Sequence, residues 1–408
     1  MNILFIHPDF PGQFGFLAES LGKDKDNKIL FLTSATANKN RQIPGVQKIV
    51  FSEQLPGREK NDPHSKNPPG LAVANILAGL KKQAYTPDLI VGHSGTGTSF
   101  YVKDIYPNTP FLGFFNWFHS LENPHDDSTA ISGPDLNIRM NLRNKNLSIL
   151  SDLWACDHGI CPTGWQKRQF PKEFHQKLSV VHNGVNTRAF QPSTDQTFKT
   201  DVLDLSHIKQ LITYTTAVLA PYKGFQQFIA SLPAVLEQQP DAHAVIVGAD
   251  RVSFGDASGN KTSYKSLIFE KVKLDPHRVH FIDGLAHEAY KMLLQSSRVH
   301  VYLDSPLMVS PSLLEAMSCE CLVLAPDMLP VKEVITDGVN GIITDFSSPD
   351  KISEKISACL DYPSFMTAVK QKARQTIVKT YAIEKTLPRQ LDIIKKMIHQ
   401  DKQGNLFG

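Results

Sequence analysis

Short apolar runs rich in β-branched and aromatic residues recur along the chain, each closed by Gly, Pro, Asn or Asp and followed by a longer stretch with helical spacing. That alternation predicts strand–helix repeats building parallel sheets. The first series of predicted strands covers residues 3–7, 29–33, 89–93, 111–115, 158–161 and 178–182; the second covers 211–215, 244–248, 279–282, 299–303 and 321–325. Each run is apolar throughout rather than alternating, as strands are when helices cover both faces of their sheet. Between the two series lies the polar, turn-rich segment Gln191-Pro192-Ser193-Thr194-Asp195-Gln196-Thr197, across which few apolar contacts could form. The predicted organisation is therefore α/β, with a doubly wound domain over residues 1–190, a linker over 191–200 and a second doubly wound domain over 201–375. A last helix within 376–408, apolar at helical spacing from Thr376 to His399, would pack back toward the first domain. Ligands of such sheets bind at the carboxyl ends of the strands, so two such domains predict a cleft between those ends.

Composition works mainly by exclusion. The chain has 408 residues, 41% hydrophobic and 20% charged, the profile of an ordinary soluble globular protein. A net charge of +3, from 43 Lys and Arg against 40 Asp and Glu, is too small for a protein that tracks a phosphate backbone. Cys156, Cys161, Cys319, Cys321 and Cys359 have neither CxxC spacing nor His partners at zinc spacing, and read as reduced thiols of a cytoplasmic protein. The start, Met1-Asn2-Ile3-Leu4-Phe5-Ile6-His7, reads as a strand rather than a secretory leader, and no apolar run reaches the length needed to span a bilayer. Arg139, Arg143 and Lys145 beside Leu142 and Leu147 suit a solvated helix face or a peripheral contact with a membrane, which would be at its inner face.

Three strand-to-helix loops carry the candidate chemistry. After the first strand, Pro8-Asp9-Phe10-Pro11-Gly12-Gln13-Phe14 places Gly12 at a helix start, where it serves either a tight turn or the close approach of an anion to backbone N–H groups. After the first strand of the second series, Leu219-Ala220-Pro221-Tyr222-Lys223-Gly224-Phe225 puts the Lys223 ammonium within reach of a phosphate, with Gly224 beside it. Later, Val309-Ser310-Pro311-Ser312-Leu313-Leu314-Glu315 reads as a helix start with Ser310 at the N-cap and Pro311 in the first turn. The positive end of that helix suits a diphosphate, and Glu315, amid apolar neighbours, is either a dipole partner or an acceptor for ligand hydroxyls.

Taken in order, Phe10-Pro11-Gly12-Gln13-Phe14, Pro221-Tyr222-Lys223-Gly224-Phe225, Ala244-Val245-Ile246-Val247-Gly248, Ser312-Leu313-Leu314-Glu315-Ala316-Met317 and Asp337-Gly338-Val339-Asn340-Gly341 resemble glycosyltransferase family 4. A bacterial subgroup also shares a strand end like His93-Ser94-Gly95-Thr96-Gly97 and a segment like Cys161-Pro162-Thr163-Gly164-Trp165-Gln166. The resemblance implies the GT-B architecture, with a nucleotide-sugar donor held mainly by the second domain and the acceptor by the first. It also implies transfer with retention and no bound metal; the single Asp-x-Asp, Asp24-Lys25-Asp26, sits in a hydrophilic turn. Carried over, Glu315 matches the ribose acceptor, Lys223 the basic group on the diphosphate, Gly12 the nearby glycine loop, and Gly284 and Leu285 the place where backbone meets the base. A histidine beside the sugar matches His119, with His93 as its rival.

Three departures follow from the same comparison. Leu307 stands where the family has a glutamate eight residues before Glu315, Ala217 occupies the region of an arginine, and Thr96 and Thr98 replace a Trp and a Glu of the subgroup. The expected activity is a retaining, metal-independent hexosyltransferase, with a glycan, lipid-linked or protein acceptor in bacterial surface or secreted polysaccharide synthesis. The alternatives are a nucleotide-sugar-binding pseudoenzyme supporting a partner, and a sugar-nucleotide epimerase.

Overall fold

The computed structural model describes residues 1–35, 40–52, 67–120, 136–251, 253–255, 261–303 and 308–402. The chain forms two compact units, one of residues 1–184 together with 383–408 and one of residues 185–382.

The first unit is built on strands β1 (Asn2–Ile6), β2 (Lys28–Ser34), β3 (Val46–Phe51), β4 (Leu89–His93), β5 (Phe111–Phe114), β6 (His158–Cys161) and β7 (Leu178–Val180). They pair in parallel in the order β3-β2-β1-β4-β5-β6-β7, so the winding direction reverses between β1 and β4. Leu4, Ile6, Ile90 and Phe111 bury one face under helices Pro68–Lys82 and Leu136–Ala155. Ile3, Phe5 and Val91 bury the other under helix Gly15–Gly22 and the final helix Ile383–Lys402.

The second unit holds β8 (Gln210–Val218), β9 (Ala242–Ala249), the antiparallel pair β10 (Ser253–Gly255) and β11 (Lys261–Ser263), then β12 (Val279–Ile282), β13 (Val299–Val301), β14 (Leu322–Pro326) and β15 (Ile342–Thr344). Six of these form a parallel sheet in the order β12-β9-β8-β13-β14-β15, with the reversal between β8 and β13. Fold class is thus α/β with two parallel doubly wound sheets.

The boundary falls elsewhere than the polar 191–200 segment. Phe190 and Phe198, which flank and enter it, are buried in cores of the second unit, Phe190 beside Tyr302 and Leu314 and Phe198 beside Leu211 and Leu293. Two aromatic anchors outweigh the turn-like composition around them, and the chain leaves the first unit at Gly184 instead. It re-enters at Ile383, after a π-helical turn over Ile377–Tyr381 that ends the preceding helix, Pro363–Thr376. All five cysteines are unpaired and buried, and burial pushes the thiols of Cys156, Cys161, Cys319 and Cys359 up to about 12. No described helix is long and apolar enough to cross a membrane.

Candidate active site

At the carboxyl ends of β8 and β9, beside the reversal in the second sheet, lies a pocket of about 490 Å³. Three strand-to-helix junctions supply it. The end of β8 gives Thr215, Thr216 and Ala217; the loop after β12 gives Asp283, Gly284 and Leu285; beyond β13 come Ser310 and, from the helix it precedes, Pro311, Ser312 and Glu315. Lys223 comes from a 3-10 turn, Pro221–Lys223, whose last carbonyl accepts a hydrogen bond from the Tyr214 hydroxyl at 2.8 Å. Gly284 has open space where a side chain would stand. Gly224 has none: its φ is +66°, and a Cβ there would come 2.7 Å from that of Leu303, so this glycine is required by packing within the protein.

Ser310 occupies the N-cap of helix Pro311–Ser318 but its side chain does not cap; its hydroxyl lies 2.7 Å from that of Ser312. The positive end of this helix therefore opens on the pocket without a side-chain acceptor. Val309, by contrast, is buried against the core. The Thr215 hydroxyl is buried with no hydrogen-bond partner, an unmet polar group in the pocket lining.

Glu315 lies in the pocket wall in the second turn of the same helix, half-buried. Burial raises its pKa, while the Tyr290 hydroxyl, donating to Oε2 at 3.0 Å, and nearby His287 act in the opposite direction. Tyr290 is a pocket residue that the sequence did not single out. It reaches Glu315 from another helix, His287–Ser296, so no local spacing announces the pair.

A second polar cluster occupies the corresponding place in the first sheet, at the ends of β1 and β4. The rings of His7 and His93 stack with centroids 4.6 Å apart. The Asp9 N–H donates to Nδ1 of His7 at 2.9 Å. Gln13 Nε2 lies 3.2 Å from Nδ1 of His93, while Gln13 Oε1 accepts from Asn116 at 3.0 Å; the carbonyl of Asn116 accepts from Gln166 at 2.7 Å. Gln13 thus links the His93 ring to Asn116, which Gln166 in turn holds. Burial pulls His7 down to about 4 and His93 to about 3, so both rings are neutral near pH 7. Gly12, at φ +52°, lies against the His7 ring: a Cβ there would sit 2.4 Å from it. The close approach that Gly12 permits is to this imidazole.

The loop Ser94–Ser99 after β4 is anchored by Asp152 of helix Leu136–Ala155. Ser94 Oγ and the Gly95 N–H donate to Oδ2 at 2.8 and 3.3 Å, and Ser99 Oγ donates to Oδ1 at 2.9 Å. Thr96 and Thr98 hydrogen-bond each other at 2.9 Å. His119 is held by its backbone, its N–H donating to Asn146 Oδ1 at 2.9 Å and its carbonyl accepting from Asn146 Nδ2 at 2.7 Å. Of the predicted residues, Lys223, Gly284, Leu285, Ser310 and Glu315 share one pocket, and Gly12 and His93 share the His7 cluster. Ala217 lines the pocket and adds no charge to it, and Leu307 lies outside the described residues. Asp24 and Asp26 are exposed in a turn closed by the Asp26 N–H on Asp24 Oδ1.

Residues 25–190 match the glycosyl transferase family 4 group, and residues 204–376 match the glycosyl transferases group 1. A curated relative, the D-inositol 3-phosphate glycosyltransferase of Segniliparus rotundus, is 22% identical over 204 residues. That match takes in 48% of this chain and spans only 41% of the relative's length. Among solved structures, Anabaena HepE in complex with UDP-glucose aligns with a TM-score of 0.71 at 18% identity, over 97% of this chain and 100% of that one. The sucrose-phosphate synthase of Thermosynechococcus elongatus aligns with a TM-score of 0.75 at 14% identity, over 98% and 99%.

Proposed function

Because the chain belongs to the family 4, group 1 glycosyltransferases, we propose that the second unit's pocket seats a nucleoside-diphosphate sugar and that its hexose passes, with retention, to an acceptor hydroxyl. The observation that carries this reading is the convergence of Lys223, the uncapped start of helix Pro311–Ser318 and Glu315 on one cavity. An ammonium and a helix N-terminus suit a diphosphate; a carboxylate in the same lining suits the hydroxyls of a ribose. Asp283, Gly284 and Leu285 then lie where backbone groups can meet a base.

Cleavage of the anomeric bond leaves charge on the departing diphosphate. Lys223 and the helix start stabilise that charge, the electrostatic contribution that is usually the largest in such reactions. In a front-face reaction the leaving phosphate takes the acceptor's proton, so no protein nucleophile and no metal ion are required. His93, neutral near pH 7, serves as a hydrogen-bonding partner for an acceptor held by the first unit rather than as a base. HepE was solved with UDP-glucose, which makes that nucleotide sugar the first donor to test. The acceptor belongs to a glycan, a lipid-linked sugar or a protein, in the assembly of bacterial surface or secreted polysaccharide.

The test is a thermal-shift and calorimetric screen of UDP, GDP, ADP and their sugars, followed by product analysis by NMR. A diphosphate should bind the wild-type chain, and Lys223→Ala should weaken it by about 1.5–3 kcal/mol while leaving the free nucleoside unaffected. Product should form in the presence of EDTA with the donor's anomeric configuration. Absence of binding by every nucleotide, or inverted product, overturns the reading.

A further inference from the structure

Five of the thirteen large apolar side chains exposed among the described residues lie on one helix, Leu136–Ala155: Leu136, Met140, Leu147, Leu150 and Trp154, the last 80% exposed. At 3.6 residues per turn they fall within about 80° of arc, a stripe running about 27 Å along the helix. The opposite face is already used: Ile138, Leu142, Ile149 and Leu153 are buried beneath it, so the outer stripe is not needed for the core. A single exposed leucine is ordinary; five exposed apolar side chains aligned along five turns are not.

The exposed charges on this helix are positive. Arg143 lies inside the arc and Arg139 at its edge, both exposed. The helix has no glutamate, and its one aspartate, Asp152, is buried and engaged with Ser94, Gly95 and Ser99. Pairing two copies of this helix face would bring the same arginines together, and the helix itself has no exposed acid to meet them. An apolar stripe with arginines, bare of acids and ending in a tryptophan, matches instead the boundary between acyl chains and negative headgroups.

We propose that the outer face of helix Leu136–Ala155 docks the protein on an anionic lipid surface, with Leu136, Met140, Leu147, Leu150 and Trp154 entering the headgroup boundary and Arg139 and Arg143 meeting phosphate. This stands apart from the donor-pocket reading, since none of these residues lines that pocket.

The chain provides its own reporter. Of its three tryptophans, Trp117 and Trp165 are buried and Trp154 is exposed, so a change in emission on binding reads this face. The full chain is mixed with phosphatidylcholine vesicles, with and without phosphatidylglycerol, and followed by sedimentation and tryptophan emission. Binding is expected only with phosphatidylglycerol, with a blue shift that Trp154→Phe removes and with weakening at high salt. Arg139→Gln combined with Arg143→Gln should lower partitioning about thirtyfold, and Leu147→Glu should abolish it. These side chains are exposed, so unchanged melting of the variants will separate loss of docking from loss of folding. The proposal fails if the chain ignores both vesicles, if it binds phosphatidylcholine equally, or if the double arginine variant binds as before. It also fails if Leu147→Glu instead breaks a dimer that never touched lipid.

Discussion

Tyr290 decides how Glu315 presents itself to a ligand. Its hydroxyl occupies Oε2 and leaves Oε1 as the freer acceptor, while the same bond opposes the rise in pKa that burial imposes. Removing it with Tyr290→Phe should weaken UDP about threefold to tenfold, the worth of one hydrogen bond. The sign of the pH effect follows from the burial. With its donor gone, Glu315 takes up a proton at higher pH than before, so affinity should fail earlier as pH is lowered. Calorimetry with UDP and 2′-deoxy-UDP across pH checks both points; a penalty equally large for the deoxy nucleotide would show that Tyr290 acts on the pocket at large and not through the ribose acceptor.

At the scale of elements, Asp152 ties a helix to a loop. Its carboxylate accepts three hydrogen bonds from Ser94, Gly95 and Ser99, in the turn that begins beside His93. Asp152→Ala leaves those donors buried without an acceptor and should destabilise the protein by about 2–3 kcal/mol, measurable by urea unfolding. Amide exchange should quicken first in the 94–99 loop. Such links explain what could be read from the sequence and what could not. Strands buried on both faces announce themselves as unbroken apolar runs, and the loops after them carry the pocket, so Lys223, Ser310 and Glu315 were legible. β3, Val46–Phe51, was not, because it is an edge strand with polar Gln47 and Lys48 and only Phe51 fully buried. β15 is only three residues long, and the β10–β11 pair is equally short. Tyr290 and Asp152 act across tertiary contacts between elements, and periodicity records none of these.

The molecule as a whole carries buried histidines in both units. His7, His182 and His300 are held down to about 4 and His93 to about 3, in each case chiefly by burial, against an ordinary value of 6.5. The unfolded chain takes up their protons first, so the stability they contribute is complete above pH 6.5 and is lost as pH falls toward 4. Asp152 works in the other direction. Burial raises it to about 6, and the stability linked to its protonated form is lost as pH rises from about 4 to 6. Four imidazoles outweigh one carboxyl, and the melting temperature should fall steadily between pH 7 and pH 4.5. A flat profile over that interval would show these rings are not held neutral by the fold.

The first unit is also discontinuous. Its sheet is completed on one side by the helix Ile383–Lys402, where Ile394, Met397 and Ile398 are buried against Phe14 and neighbouring residues. Burying three such side chains contributes about 1.5–3 kcal/mol apiece. During synthesis, then, residues 1–184 leave the ribosome first yet must wait, one apolar flank uncovered, while the entire second unit is translated. The half made earliest is the last to be finished.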